Sequence, residues 1–293
     1  MTVKKLLIDH DNSGRRLDNY LISIYKSVPK SKIYSIIRKG EVRINSSRVK
    51  PSYKLSKDDL VRIPPNLESP LAKIKNISED ILDTHTKDIL FENNNYIVTN
   101  KKNNIAVHSG SKNHIGLIDI FRNKYGNGID LCHRLDKTTS GCLVFGKNKK
   151  AVKHFNDSLL RQRVTKIYTA ILKGNFSGEK KISNQIYKSI ESKSKDSISV
   201  FRHNKKLKNT TVVDVKIYTG RTHQIRIHAA QMNHPVLFDN KYGDKVFDKS
   251  LSLGNRNIAL HSKNIIFGDI NSKLINITCE NPTEFNELID KLA

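Results

Sequence analysis

The chain has 293 residues, 37% of them hydrophobic, and a formal net charge of +24 from 52 Lys and Arg against 28 Asp and Glu. That length is ample for a buried core and fits one large domain or two ordinary ones. The longest apolar runs, such as Leu143-Val144-Phe145 and Ile265-Ile266-Phe267, fall far short of a bilayer span, and the opening residues hold no apolar stretch of signal-peptide length. A soluble, cytoplasmic protein without membrane partners is expected.

The excess of positive charge points to a polyanionic partner, because each neutralised phosphate releases a condensed counterion. Asn, Lys and Ile are used heavily throughout, so part of the excess is compositional. Cys132, Cys142 and Cys279 lack CxxC spacing and support neither a disulfide framework nor structural zinc. They read as small buried residues.

In chain order, Leu17, Leu21 and Ile24 fall at helical spacing after the polar stretch Asp11 to Gly14. A second helix is predicted from about Pro29, with Ile33, Ile36 and Ile37 as its apolar stripe and Gly40 as its stop. Val42 with Ile44, and Leu60 with Val61 and Ile63, suggest short strands, the first followed by a turn at Asn45-Ser46-Ser47. Residues 1–65 hold fifteen Lys and Arg and six Asp and Glu. Lys30, Lys32, Arg38, Lys39 and Arg43 cluster around the second helix and are expected to contact phosphates.

The stretch 65–88 is polar, carries Pro70 and has no sustained period, so it reads as a linker. Beyond it, strand-like runs occur at Tyr96–Thr99, Leu143–Phe145, Ile167–Leu172, Val212–Ile217 and Ile275–Cys279, with a helical pattern at Val152, Phe155 and Leu159. Strands and helices without strict alternation predict an α+β fold with a mixed, largely antiparallel sheet. The domains are therefore expected at 12–64 and 89–293.

Three stretches carry chemistry. His133-Arg134-Leu135-Asp136 runs through Thr139-Ser140-Gly141 into an apolar strand, a loop on a rigid support where catalytic groups tend to sit. In Lys166-Ile167-Tyr168-Thr169-Ala170, alternation puts Lys166 and Tyr168 on one strand face. In Thr219-Gly220-Arg221-Thr222-His223-Gln224-Ile225-Arg226, a strand ends, Thr222 is a candidate helix cap and Ile225 and Ala229 face inward. His223, His228 and His234 do not form a helical i, i+4 pair, and no metal is expected.

The pattern GRRLDNYL…VPKSKIYSIIRKGEVRIN…VKPSYKLSKDDLVRI resembles an S4 RNA-binding domain. HRLDKTTSG, KIYTAILKG, TGRTHQIRIH and HPVLFDNKYGD together resemble the RluA family of pseudouridine synthases across the whole second domain. The resemblance implies isomerisation of specific uridines to pseudouridine in large-subunit ribosomal RNA, by a monomer, with no cofactor and no metal. It implies that Asp136 is the essential carboxylate, Tyr168 stacks on the target base, and Arg221 pairs with Asp136. It further implies that Arg134 enters the RNA stack where the base was and that Ile225 is an apolar active-site neighbour; Lys166, on the same strand face as Tyr168, is expected to contact RNA.

Physical reasoning agrees. Moving the glycosidic bond from N1 to C5 involves no redox change, and it needs a base taken out of its stack. It also needs an ionised carboxylate in a dry pocket. Burial disfavours that form and a guanidinium restores it, the task expected of Arg221. The sequence leaves open whether Asp136 attacks C1′, abstracts a sugar proton or attacks C6; Tyr168 is the candidate for removing the C5 proton. A protein of the same ancestry that binds RNA without catalysis is the competing reading.

Two departures from the family pattern stand out. A Lys-Pro-x-Gly turn is usual before Val-His, where this chain has Lys101-Lys102-Asn103-Asn104. The segment from Asn209 to Thr219 is also short, which is expected to weaken one sheet edge or alter an RNA contact.

Overall fold

The computed structural model describes residues 3–25, 28–65, 67, 77–109, 115–186, 195–254 and 256–293. The chain divides into two compact units, Met1–Asn76 and Ile77–Ala293.

The first unit contains β1 (Lys4–Leu7), α1 (Leu17–Ile24), α2 (Lys30–Arg38), β2 (Arg43–Ile44) and β3 (Leu60–Ile63). The strands form an antiparallel sheet in the order β1-β3-β2. Leu17 and Leu21 of α1 and Ile33, Ile36 and Ile37 of α2 are buried with Val42, Ile44, Val61 and Ile63. Helical spacing on one side and strand alternation on the other thus meet in one core. Gly40 follows α2 with φ 73°, the left-handed geometry that glycine adopts without a steric penalty. Sequence reasoning missed β1, whose Lys4-Lys5-Leu6-Leu7 lies on the sheet edge, with only Leu6 half-buried.

The second unit opens with α3 (Glu79–Thr86), inside the stretch expected to be linker. The residues 68–76 of that stretch lie outside the described ones. There follow β4 (Ile89–Glu92), β5 (Tyr96–Lys101), α4 (Leu117–Tyr125), β6 (Asp130–Leu131), β7 (Ser140–Gly146), α5 (Lys149–Leu160) and β8 (Thr165–Lys173). The remainder is β9 (Glu179–Ile186), β10 (Lys195–Leu207), β11 (Thr210–Ile217), α6 (Gln224–Gln231), α7 (Lys245–Ser250), β12 (Leu260–Gly268), β13 (Leu274–Thr278) and α8 (Thr283–Leu292).

The ten strands make one sheet in the order β4-β5-β7-β12-β8-β11-β10-β9, with β13 added on β12 and β6 on β7. Every pairing is antiparallel except β7 with β12. The fold is α+β, as the mixed pattern implied. One apolar layer gathers Phe121 of α4, Phe145, Ile171, Ile225 and Ala229 of α6, and Phe285 and Leu288 of α8. A second holds Tyr96, Phe155 of α5, Phe267 and all three cysteines, which are buried thiols.

Burying a phenylalanine such as Phe155 contributes roughly 2–3 kcal/mol, so these layers hold the sheet rigid beneath the loops. The short segment before Thr219 leaves the sheet continuous, since β10 and β11 pair directly across the turn Lys208-Asn209.

Candidate active site

Asp136 sits in the loop just before β7, and two devices fix that loop. At its end, Gly141 has φ 106° and faces the backbone of Ser262, where β7 and β12 run parallel; a Cβ would overlap that backbone. Just past Asp136, the buried ammonium of Lys101 donates to the carbonyls of Lys137 (3.1 Å) and Thr139 (2.6 Å), and also to that of Lys102 (2.9 Å). Burial pushes the Lys101 pKa down to about 7, against the pull of Asp136.

Lys101 opens the tetrapeptide in which the expected Pro and Gly are missing. Asn104 takes the left-handed conformation at the glycine position, φ 64°, a geometry Asn tolerates better than most residues. His133, three residues before Asp136, accepts from the Val144 amide at 3.1 Å and stacks on Phe155. Burial, then the charge of Lys166, push its pKa down to about 3, so it serves as a neutral support.

Asp136 Oδ2 faces Arg226 Nη1 at 3.4 Å and His223 Nε2 at 3.8 Å. Arg226 belongs to α6, whose residues Gln224, Ile225, Arg226, His228 and Ala229 are all buried. The other edge of its guanidinium is gripped by Asp239, Nε to Oδ2 at 2.7 Å and Nη2 to Oδ1 at 2.6 Å, and Tyr242 lies under it at 5.2 Å. Burial disfavours the Arg226 charge, yet Asp239 and then Asp136 more than offset this and raise its pKa. Asp239 is itself pulled below the usual range: burial opposes its charge, but Arg226 and the amides of Lys241 and Tyr242 outweigh it.

The expected pairing of Asp136 with Arg221 does not occur. Arg221 lies on the turn before α6, and its Nε donates to the Asp196 carbonyl at 3.0 Å. Gln224 anchors that turn: its Oε1 accepts from the Arg221 amide (3.1 Å) and from Thr219 Oγ1 (2.7 Å). The helix therefore begins beyond Thr222, with His223 rather than Thr222 at the cap, and the inward-facing arginine, Arg226, lies in its first turn. His223 has φ 57°, a strained geometry for a residue with a Cβ, and its Nδ1 meets Tyr242 Oη at 3.1 Å. Burial lowers the His223 pKa, partly opposed by Asp136 and reinforced by Arg226 and Lys241.

Tyr168 is buried on β8. Burial, and to a lesser extent Asp136, raise its pKa, with the Ser262 hydroxyl pulling the other way, so the phenol keeps its proton at neutral pH. Arg134, Asp136, Lys166, Tyr168, Arg221 and Ile225 all line one cavity of about 620 Å³. Among its described lining residues Asp136 is the single carboxylate. The volume is in the range of small-ligand sites.

The three histidines first weighed as ligands go separate ways. His228 bonds Ser197 and Asn184, His234 bonds the Lys173 carbonyl, and His223 faces Asp136. In the first unit, Lys30, Lys32, Arg38 and Lys39 are exposed around α2. Arg43 is partly spent on the carbonyls of Gly40 (3.1 Å) and Ser46 (3.4 Å). Sequence reasoning missed Arg226, Asp239, His223 and Lys101 as site residues. Arg226 and Asp239 both stood within the motifs TGRTHQIRIH and HPVLFDNKYGD, and the signal available was a charged residue inside an otherwise inward-facing helix.

A family profile described as RNA pseudouridylate synthase matches residues 95–231, and an S4 domain profile matches 15–61. The chain is 38% identical over 285 residues to the ribosomal large subunit pseudouridine synthase C of Haemophilus influenzae, covering 91% of this chain and 87% of that one. The protein of the same name from Vibrio cholerae is 36% identical over 279 residues, covering 89% and 87%. Among solved structures, Human RNA Pseudouridylate Synthase Domain Containing 4 has the same fold, with a TM-score of 0.62 at 21% identity over 73% of this chain and 95% of that one.

Proposed function

The chain belongs to the RNA pseudouridylate synthase family, and we propose that it isomerises specific uridines of large-subunit ribosomal RNA, with Asp136 as the essential carboxylate. The observation that carries this reading is the meeting of Asp136, Arg226 and Tyr168 in one cavity. The relatives' names supply the substrate class. The cytoplasm is the proposed location, and a monomer the proposed state.

The target uridine leaves its stack and enters the cavity, at a cost of a few kcal/mol offset by phosphate contacts and by stacking on Tyr168. Arg134, exposed at the cavity rim, fills the space left in the RNA. Ile225 gives the pocket an apolar wall that keeps water away from Asp136. The bond from C1′ to N1 breaks and one from C1′ to C5 forms; N1 gains a proton and C5 loses one, with no net redox change. Asp136 is the only carboxylate among the described residues lining the cavity, so it suits both the opening step on the nucleoside and the removal of the C5 proton. Tyr168, which retains its own proton, suits stacking better than the role of base.

The test is to incubate the protein with unmodified transcripts of large-subunit and small-subunit ribosomal RNA and map pseudouridine chemically. The reading expects product in the large-subunit transcript alone. Product confined to the small-subunit transcript, or none in either, would overturn it.

A further inference from the structure

Lys166 is the one buried cation of the cavity that the proposed reaction leaves unused. It lies on β8 two residues before Tyr168, is 6% exposed, and lines the same cavity. Its ammonium has no hydrogen-bond or ion-pair partner among the described residues, in contrast to Lys101, whose ammonium holds three carbonyls. Nζ lies beside the backbone of Gly220: a Cβ added there would stand 3.5 Å from it. Arg221 follows immediately, and its positive charge is felt at Lys166.

A buried ammonium costs free energy unless something compensates it, and a second cation nearby adds to the cost. Burial, then Arg221, push the Lys166 pKa down to about 8. The two cations by themselves are an unfavourable pair. An anion placed between the two groups would relieve both penalties. Arg221 retains donors for such an anion, because the bond to the Asp196 carbonyl uses Nε alone. Asp136 is not the anion, since its carboxylate faces Arg226 at 3.4 Å. The substrate must bring one.

We propose that Lys166 and Arg221, meeting at Gly220, form a subsite for one phosphodiester of the RNA beside the extruded uridine. The inference rests on the reading of the cavity as the uridine site. It gives Arg221 a task other than pairing with Asp136: it anchors the backbone so that the sugar is presented to the carboxylate. Glycine at 220 leaves the space in which Nζ and a phosphate oxygen can meet.

The test measures binding of unmodified large-subunit RNA against salt concentration for the wild type, Lys166→Met, Lys166→Arg, Arg221→Met and the double Met variant. Removing one phosphate contact should reduce the slope of log affinity on log salt by about 0.7 on a single-stranded segment. Lys166→Met and Arg221→Met are each expected to lose part of that value and the double variant all of it, and Lys166→Arg to keep the wild-type slope. Arg221 is only part-buried, so Arg221→Met reports even where Lys166→Met folds poorly. Unchanged slopes in both Met variants, or weaker binding at an unchanged slope, would overturn the proposal. A companion pseudouridine assay separates the two claims. Product from the wild type with unchanged slopes sinks the subsite alone, and reduced slopes without product sink the isomerase reading while the anion site stands.

Discussion

Arg226 reaches Asp136 across 3.4 Å with one end of its guanidinium while Asp239 holds the other end through two hydrogen bonds. The arginine is thus a fixed positive charge. A planar fork with one face committed to Asp239 can offer only its remaining edge to Asp136, and the direction of that offer is set.

Arg226→Gln is expected to abolish detectable pseudouridine formation. It also leaves Asp239 buried without its partner, costing about 3–5 kcal/mol of stability. The double variant Arg226→Gln with Asp239→Asn removes both charges and should recover much of that stability without recovering activity. Denaturant unfolding combined with the RNA assay checks this. A double variant that is active would show that the guanidinium is dispensable.

Lys101 supports the Asp136 loop through the carbonyls of Lys137 and Thr139. Lys101→Met should loosen Asp136 without touching RNA contacts, lowering kcat about 10- to 100-fold while KM changes little, the pattern of misplaced catalytic groups. A rise in KM with kcat unchanged would mean that the lysine serves binding instead.

His133 gives a pH prediction. Its folded-state pKa of about 3 lies below the ordinary 6.5, so folding favours the neutral ring. The stabilisation is full above pH 6.5 and is lost as pH falls towards 3, at about 1.4 kcal/mol per pH unit for one proton. His133→Phe keeps the stacking on Phe155 but cannot titrate, so wild type and variant should converge in stability as pH falls through that window. Parallel curves of unfolding free energy against pH would contradict the assignment.

The first unit's charges predict a salt effect of their own. Lys30, Lys32 and Lys39 are exposed around α2. Replacing all three with Gln should lower the salt slope of RNA affinity by about 2–3, if each meets a phosphate, with little change in melting temperature. An unaltered slope would remove this helix from the RNA interface.

Much of this was legible in the sequence where local pattern and burial agree. The Ile33, Ile36 and Ile37 stripe, the Phe155 helix and the alternating β8 each present one period to one core. What escaped depends on geometry across the chain. The helix α3 buries only Thr86 fully and so shows no sustained apolar stripe. Lys101 looks like one more surface lysine in a lysine-rich chain until three carbonyls converge on it. The choice between Arg221 and Arg226 turns on where α6 begins, and Gln224 decides that by tying down the preceding turn.

The essential role proposed for Asp136 is open to direct measurement. Unmodified large-subunit RNA is treated with the wild type and with Asp136→Asn, pseudouridine is mapped by chemical probing, and RNA affinity is measured in parallel. The expected result is product from the wild type, a fall of about 10³-fold or more in the variant, and retained RNA binding. Equal pseudouridine signal from both proteins would contradict it.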